Sequence, residues 1–316
     1  MRRANLLRQL LPAVMLATLS AMPTLVQAAE PDWQALEAEI LQRFQAMLRI
    51  DTSNPPGNET ALATHMADLL RSEGIEVELF SKDPQRANMV ARLKGNGSKR
   101  PLLLMSHLDV VTVDPAKWTF PPFGATLDNG WVYGRGAIDD KDNMIASLMT
   151  MLLLKRSGVE LDRDVIFLAE AAEEGGGDEF GIGLVANEHF DAINAEFCLA
   201  EGASVTRANG KALYAGVQAG EKKRRTAILT ANGISGHGSV PTRANPVVLV
   251  SKAVAAIAEW QSPLQLSDAT TAFLSRLAAV SPPADAARYR ALLNPNSPAA
   301  QEAMNYLLES EPATAA

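Results

Sequence analysis

The sequence predicts an α/β fold, a mixed, mostly parallel sheet with helices on both faces, joined to a smaller α+β domain. Two observations carry this expectation. Short apolar runs of strand length at 102–105, 165–169 and 197–200 alternate with helically patterned stretches at 33–48, 60–72 and 141–156, the rhythm of strands connected through helices. Near residue 216 the texture changes to one alternating, half-exposed stretch followed by mostly helical sequence, which marks a second domain.

The elements follow in order. Apolar residues at helical spacing over 33–48 end in the turn-forming Ile50-Asp51-Thr52-Ser53-Asn54-Pro55-Pro56-Gly57. A second helix spans about 60–72 and stops at Gly74. Segments 75–80 and 89–93 read as strands, and 102–105 as a buried one. Loop and hairpin sequence rich in Pro, Gly and aromatics fills 114–136. A helix over 141–156, a strand over 165–169, a helical turn at 184–188 and a strand over 197–200 complete the first domain. Beyond the boundary, 222–232 alternates like an antiparallel strand, 246–260 is an amphipathic helix, and Ala- and Leu-rich helical sequence runs on from 267.

Composition narrows the function. With 316 residues, 47% of them apolar, and a net charge of -7, the chain has enough apolar sequence for sizeable cores. Its acidity, with a pI near 5.3, excludes binding to nucleic acid through phosphate neutralisation. Arg2-Arg3 precedes apolar runs at 10–19 and 21–26, interrupted by Ser20 and Pro23, and the small residues Ala28 and Ala29 stand before Glu30. This is the layout of a secretory signal peptide over 1–29. The expected mature protein is periplasmic or secreted, with no stable membrane span after signal cleavage. A single cysteine, Cys198, permits no intrachain disulfide and reads as a small buried apolar residue.

Three acidic or histidine motifs stand at the ends of apolar runs: Ser106-His107-Leu108-Asp109 after 102–105, Asp139-Asp140-Lys141 after Gly134-Arg135-Gly136, and Glu173-Glu174 after 165–169. Glu201 repeats the pattern after 197–200. The carboxyl ends of strands are where open α/β sheets place their ligand crevices. His107 and Asp109, two apart on extended chain, face the same way, so Asp109 can orient the imidazole by accepting its second N–H. One acid of Asp139-Asp140 can enter the crevice while the other caps the following helix. Glu173 and Glu174, on irregular backbone, can serve different partners, one an ion and the other a proton. In isolation each motif also has an ordinary reading, as a satisfied core histidine, a pair of N-cap acids or a solvated acidic loop. No Gly-x-Ser-x-Gly elbow is present, and Ser106 beside its own histidine makes no triad.

Taken in order, His-x-Asp, Gly-Arg-Gly-Ala-x-Asp-Asp-Lys, Glu-Glu-Gly and Glu-Gly resemble the zinc-dependent aminoacylase/carboxypeptidase family of metallopeptidases. That family includes glutamate carboxypeptidase, aminoacylase, acetylornithine deacetylase and the yeast vacuolar carboxypeptidase, and the resemblance covers about residues 35 to 260. It implies a two-metal hydrolase loaded with Zn2+, or with Co2+ in its place, that cleaves short peptides or N-acyl amino acids. Asp139 would bridge the two ions, His107 and Glu201 would complete one set of ligands, and Glu174 would bind the other ion. Glu173 would be the general base and Asp109 the partner that orients His107. The resemblance also implies a cis peptide at Asp139-Asp140. Gly233-Ile-Ser-Gly236-His237-Gly238 resembles the family's lid motif, whose histidine reaches the partner subunit's site and stabilises the oxyanion, which implies a homodimer.

The chain departs from the family in two places. Asp142 stands where glycine is usual after Asp-Asp-Lys, and no histidine follows His237 to act as the last ligand of the second ion. The expected organisation is therefore 1–29 signal peptide, 30–216 catalytic domain lacking its C-terminal part, and 217–316 an incomplete lid and dimerisation domain. Arg243 and Asn245 are the candidates for holding a substrate carboxylate. The competing expectation is a truncated, catalytically impaired remnant or a protein that binds a single metal ion.

Overall fold

The computed structural model describes residues 32–316 apart from 176, 178, 203, 204, 219, 221–225, 241–244, 261, 312, 313, 315 and 316. The signal-peptide segment and Arg243 therefore lie outside the described residues. The chain divides into two compact units, one ending at Glu201 and one beginning at Gly202.

In the first unit the elements run α1 (Trp33–Leu48), β1 (Ser53–Asn54), α2 (Glu59–Ser72), β2 (Glu76–Phe80), β3 (Asn88–Leu93), β4 (Leu102–His107), β5 (Val110–Val111), β6 (Thr126–Asp128), β7 (Trp131–Tyr133), α3 (Lys141–Ser157), β8 (Val165–Glu170), α4 (Ile182–Glu188), α5 (Phe190–Ile193) and β9 (Phe197–Leu199). α1 starts where the Asp32 carboxylate accepts the N–H groups of Gln34 and Ala35, and α3 stops at Gly158, whose left-handed φ of 62° ends a helix at little steric cost.

Five strands form one sheet in the order β2-β3-β8-β4-β9. β4 lies parallel to β8 and β9, while β3 is antiparallel to its neighbours β2 and β8. Four strands thus point one way and β3 the other, the mixed, mostly parallel sheet expected from sequence. Alternate residues divide between the two faces. Met89, Ala91, Leu104, Val165, Phe167 and Ala169 pack with α1, α2 and α3, whereas Val90, Leu103, Ile166, Leu168, Val185 and Ile193 form the core under α4 and α5. β8, central and covered on both faces, is buried along its whole length. Because β4, β8 and β9 are parallel, His107, Glu170 and Leu199 end at one edge of the sheet, and the acidic segments that follow emerge there.

Two sequence expectations fail for related reasons. Cys198 is exposed, because β9 is an edge strand whose residues are not covered among the described residues. In the second unit residues 226–232 form no strand, although their alternation is present. A strand needs a ladder partner, and among the described residues of this unit the pairing is a hairpin of β10 (Val205–Ala208) with β11 (Lys211–Ala215). Asn209 and Gly210, with φ of 51° and 75°, form its tight turn. The unit continues with α6 (Pro246–Glu259), α7 (Asp268–Val280), α8 (Pro283–Leu292) and α9 (Pro298–Ser310). Leu274, Leu277, Tyr289, Leu292 and Leu307 give the last three helices a core of their own. Asn245 caps α6 by accepting the N–H of Val247 at 2.9 Å.

No helix among the described residues is long and apolar enough to cross a membrane. Phe167, fully buried at the centre of β8, tests the packing of the first unit. Phe167→Ala is expected to lower its stability by about 3–5 kcal/mol, read as a shift in the urea midpoint; a loss below about 1 kcal/mol would contradict the core described.

Candidate metal centre

The end of β4 delivers His107 into a buried position, 2% exposed. Its Nδ1 lies 2.9 Å from the main-chain oxygen of Asp109. A carbonyl can only accept, so Nδ1 carries the hydrogen and Nε2 is the atom turned toward the crevice. Nε2 lies 2.9 Å from Asp139 Oδ1 and 3.4 Å from Glu201 Oε2. Asp109 thus orients the imidazole through its main chain, since its carboxylate stands 3.6 Å from Nδ1, beyond hydrogen-bond length.

The Asp109 carboxylate, fully buried, is occupied elsewhere. Oδ1 accepts the N–H of Glu173 at 3.0 Å, and Oδ2 accepts the N–H of Glu174 at 3.1 Å and Nδ2 of Asn54 at 2.7 Å. Asn54 also donates to the carbonyl of Gly175. Burial opposes ionisation of Asp109, but His107, Asn54 and the Glu173 N–H outweigh it and hold its carboxyl below the usual range.

Asp139 and Asp140, joined by a cis peptide bond, diverge. Asp139 stands exposed at the rim, while Asp140 is buried. Asp140 occupies the N-cap position of α3 but makes no side-chain cap; its Oδ2 accepts the N–H of His107 at 3.2 Å and Nδ2 of Asn143 at 3.3 Å. Lys141 fixes this corner from below. Fully buried, its Nζ donates to the carbonyls of Met47 at 3.2 Å and Ile50 at 2.8 Å, at the end of α1. Burial brings the Lys141 ammonium down to about 8.

Ligand atoms of His107, Asp139 and Glu174 lie within 4.8 Å of one another, as do those of His107, Asp140 and Glu201. The two groups share one imidazole. Glu173 is exposed beside them and Glu174 half-buried. Burial raises the carboxyls of Glu173 and Glu174, and neighbouring acids, Glu201 at Glu173 and Asp139 at Glu174, add to the rise. Burial likewise lifts Asp140 to about 7. For His107 burial disfavours the charged ring, yet Asp109, Asp140 and Asp139 overcome it and hold the imidazolium up to about 10. This concentration of acids around one nitrogen is a field that favours a cation. An imidazole nitrogen with carboxylate oxygens is a donor set suited to zinc and similar first-row divalent ions. The residues therefore fit a bound metal.

His237 belongs to the second unit, where it is exposed and its Nδ1 lies 2.8 Å from Ser239 Oγ. Asn54, Asp140 and Lys141 are structural members of the first-unit centre that sequence reasoning did not single out as such. Asp140 stands at the start of a helix, where an acid is an ordinary cap, Asn54 lies in a turn-forming segment, and the buried lysine carries no local pattern at all.

A model of the peptidase family M20/M25/M40 matches residues 103–307, more than half of the chain. N-formyl-4-amino-5-aminomethyl-2-methylpyrimidine deformylase of Halalkalibacterium halodurans is 35% identical over 142 residues, covering 44% of this chain and 33% of that protein. A probable succinyl-diaminopimelate desuccinylase of Staphylococcus epidermidis is 30% identical over 207 residues, 65% of this chain and 47% of the relative. Among solved structures, an M20 family metallo-carboxypeptidase from Sulfolobus solfataricus shows 26% identity and a TM-score of 0.47, covering 53% of this chain and 38% of that one. The chain thus spans a third to about half the length of the relatives it matches. Residues 103–307 take in His107, Asp109, Asp139, Glu173, Glu174, Glu201 and His237, and the chain belongs to peptidase family M20/M25/M40.

Proposed function

We propose that this chain carries the metal-binding part of an amide hydrolase acting on short peptides or N-acyl amino acids. The observation that supports it most directly is the convergence of His107, Asp139, Asp140, Glu174 and Glu201 beside an exposed glutamate. His107, Asp139, Glu174 and Glu201 would hold two zinc ions, with cobalt able to substitute. When bound, such ions polarise a carbonyl and ease deprotonation of water. Glu173 is the base that takes the proton from the attacking water and delivers it to the leaving amine. Its main-chain N–H, fixed on Asp109, keeps the side chain at the rim where a substrate enters. His237 steadies the oxyanion from the lid of a dimer partner. Export through the segment 1–29 and a homodimer belong to the same reading. The relatives' names, a deformylase and a probable desuccinylase, agree with removal of an acyl group from nitrogen.

A single-ion reading is favoured by one observation: both candidate ligand groups depend on the same His107. In that case the chain binds one metal ion and does not turn substrate over. Metal analysis of the purified chain separates the two. Two zinc ions per chain, with hydrolysis of dipeptides or N-acyl amino acids that stops on chelation and returns with zinc, is the expected result. One ion or none, without turnover, would establish the alternative.

Glu173→Gln is expected to lower kcat by roughly a hundred- to ten-thousand-fold while leaving the zinc content unchanged. Loss of zinc from this variant, measured by atomic absorption, would show that Glu173 is a ligand rather than the base.

A further inference from the structure

Glu59 and Arg86 form an ion pair with side chains 0% and 7% exposed. Arg86 Nη2 donates to Glu59 Oε1 at 2.8 Å, and Nε reaches Oε1 at 3.2 Å and Oε2 at 3.3 Å. A buried pair adds little net stability over apolar side chains of the same size, so what else it touches becomes the informative question. Glu59 Oε1 accepts the N–H of Ala172 at 3.3 Å, and Arg86 Nη2 donates to the carbonyl of Gly175 at 3.4 Å. The guanidinium also lies 5.2 Å from the centre of the Phe180 ring. The pair therefore grips the chain on both sides of Glu173 and Glu174.

That turn needs outside support. Ala172 holds a left-handed φ of 63°, a conformation disfavoured for a residue with a Cβ. The segment before Glu59 is shaped around the pair: at Gly57, with φ of 88°, a Cβ would stand 2.7 Å from Arg86 Nε and 2.8 Å from Glu59 Oε2. The ion pair, the missing Cβ and the left-handed alanine are separate features that meet at one place.

We propose that Glu59 and Arg86 are positioning residues for the acidic turn, setting where Glu173 and Glu174 stand relative to His107 and Asp139. The inference rests on the reading of that turn as the source of the base and of a metal ligand. A pair that only stabilised the fold would leave the turn's amides and its metal affinity unchanged once replaced by apolar side chains.

The test uses the full chain with Glu59→Leu/Arg86→Met, which leaves no unpaired buried charge, and separately Arg86→Lys. Lysine keeps the charge beside Glu59 but lacks the fork that reaches Gly175 as well. In the metal-free protein, amide exchange at Ala172, Glu173 and Glu174 is expected to quicken about tenfold in the double variant, with Leu168 and Ala169 unchanged. In zinc titration the affinity is expected to fall roughly 10–100-fold. Arg86→Lys moves both readouts in the same direction by less, and decides the matter alone if the double variant does not fold. Wild-type protection of those amides in a folded variant would overturn the proposal, as would wild-type zinc affinity. Absence of zinc uptake by the wild-type chain would instead count against the hydrolase reading, and exchange in the metal-free protein would still decide whether the pair holds the turn.

Discussion

The buried carboxylate of Asp109 is the interaction on which the centre depends. One group of two oxygens satisfies the N–H of Glu173, the N–H of Glu174 and the side-chain amide of Asn54, while the same residue's carbonyl accepts from Nδ1 and fixes the orientation of the His107 ring. The end of β4 and the segment after β8 are adjacent because those strands are parallel neighbours, with His107 opposite Glu170. Asp109 converts that adjacency into fixed geometry. An ionised carboxylate suits the task, since charge-assisted bonds to backbone donors are stronger than neutral ones and leave none of the three donors orphaned.

Around this anchor the fold works against electrostatic repulsion. Asp139, Asp140, Glu173, Glu174 and Glu201 lie near one imidazole, and burial raises several of them further. Holding acids together is unfavourable unless positive charge joins them. In the protein alone the imidazolium of His107 supplies part of it. The surrounding contacts are correspondingly rigid: Lys141 is pinned to the end of α1, Asn143 donates to the carbonyl of Met105 at 3.0 Å, and Asp140 is bonded to the backbone of His107. His107, Asp140 and Lys141 are buried, whereas Asp139, Glu173 and Glu201 are exposed, giving a fixed floor and an accessible rim.

Much of this was legible in the sequence where cause and pattern are local. Apolar runs of strand length located β4, β8 and β9, and the acids following them emerge at one sheet edge because the strands are parallel. The supports were not legible. Asn54 meets Gly175 across 121 residues and Arg86 meets Glu59 across 27, and no spacing rule connects such partners. Asp140 looked like a helix cap because it stands at the start of α3, yet the backbone of His107 takes its carboxylate instead. Among the described residues the stretch 226–232 has strand alternation without a ladder partner, whereas Asn209-Gly210 is a local hairpin signal between β10 and β11. Cys198 sits in an apolar run, but its burial depended on β9 having covered faces, which its own sequence does not encode.

Asp109→Asn tests the central claim most directly. The substitution keeps the shape but places an NH2 group against an N–H donor and removes the charge, so a buried donor is left without an acceptor. The expected result is a folded protein destabilised by about 1–3 kcal/mol, whose zinc affinity falls roughly 10–100-fold although no candidate ligand has been changed. Wild-type zinc affinity and stoichiometry in Asp109→Asn would contradict the assignment of Asp109 as the anchor of this site.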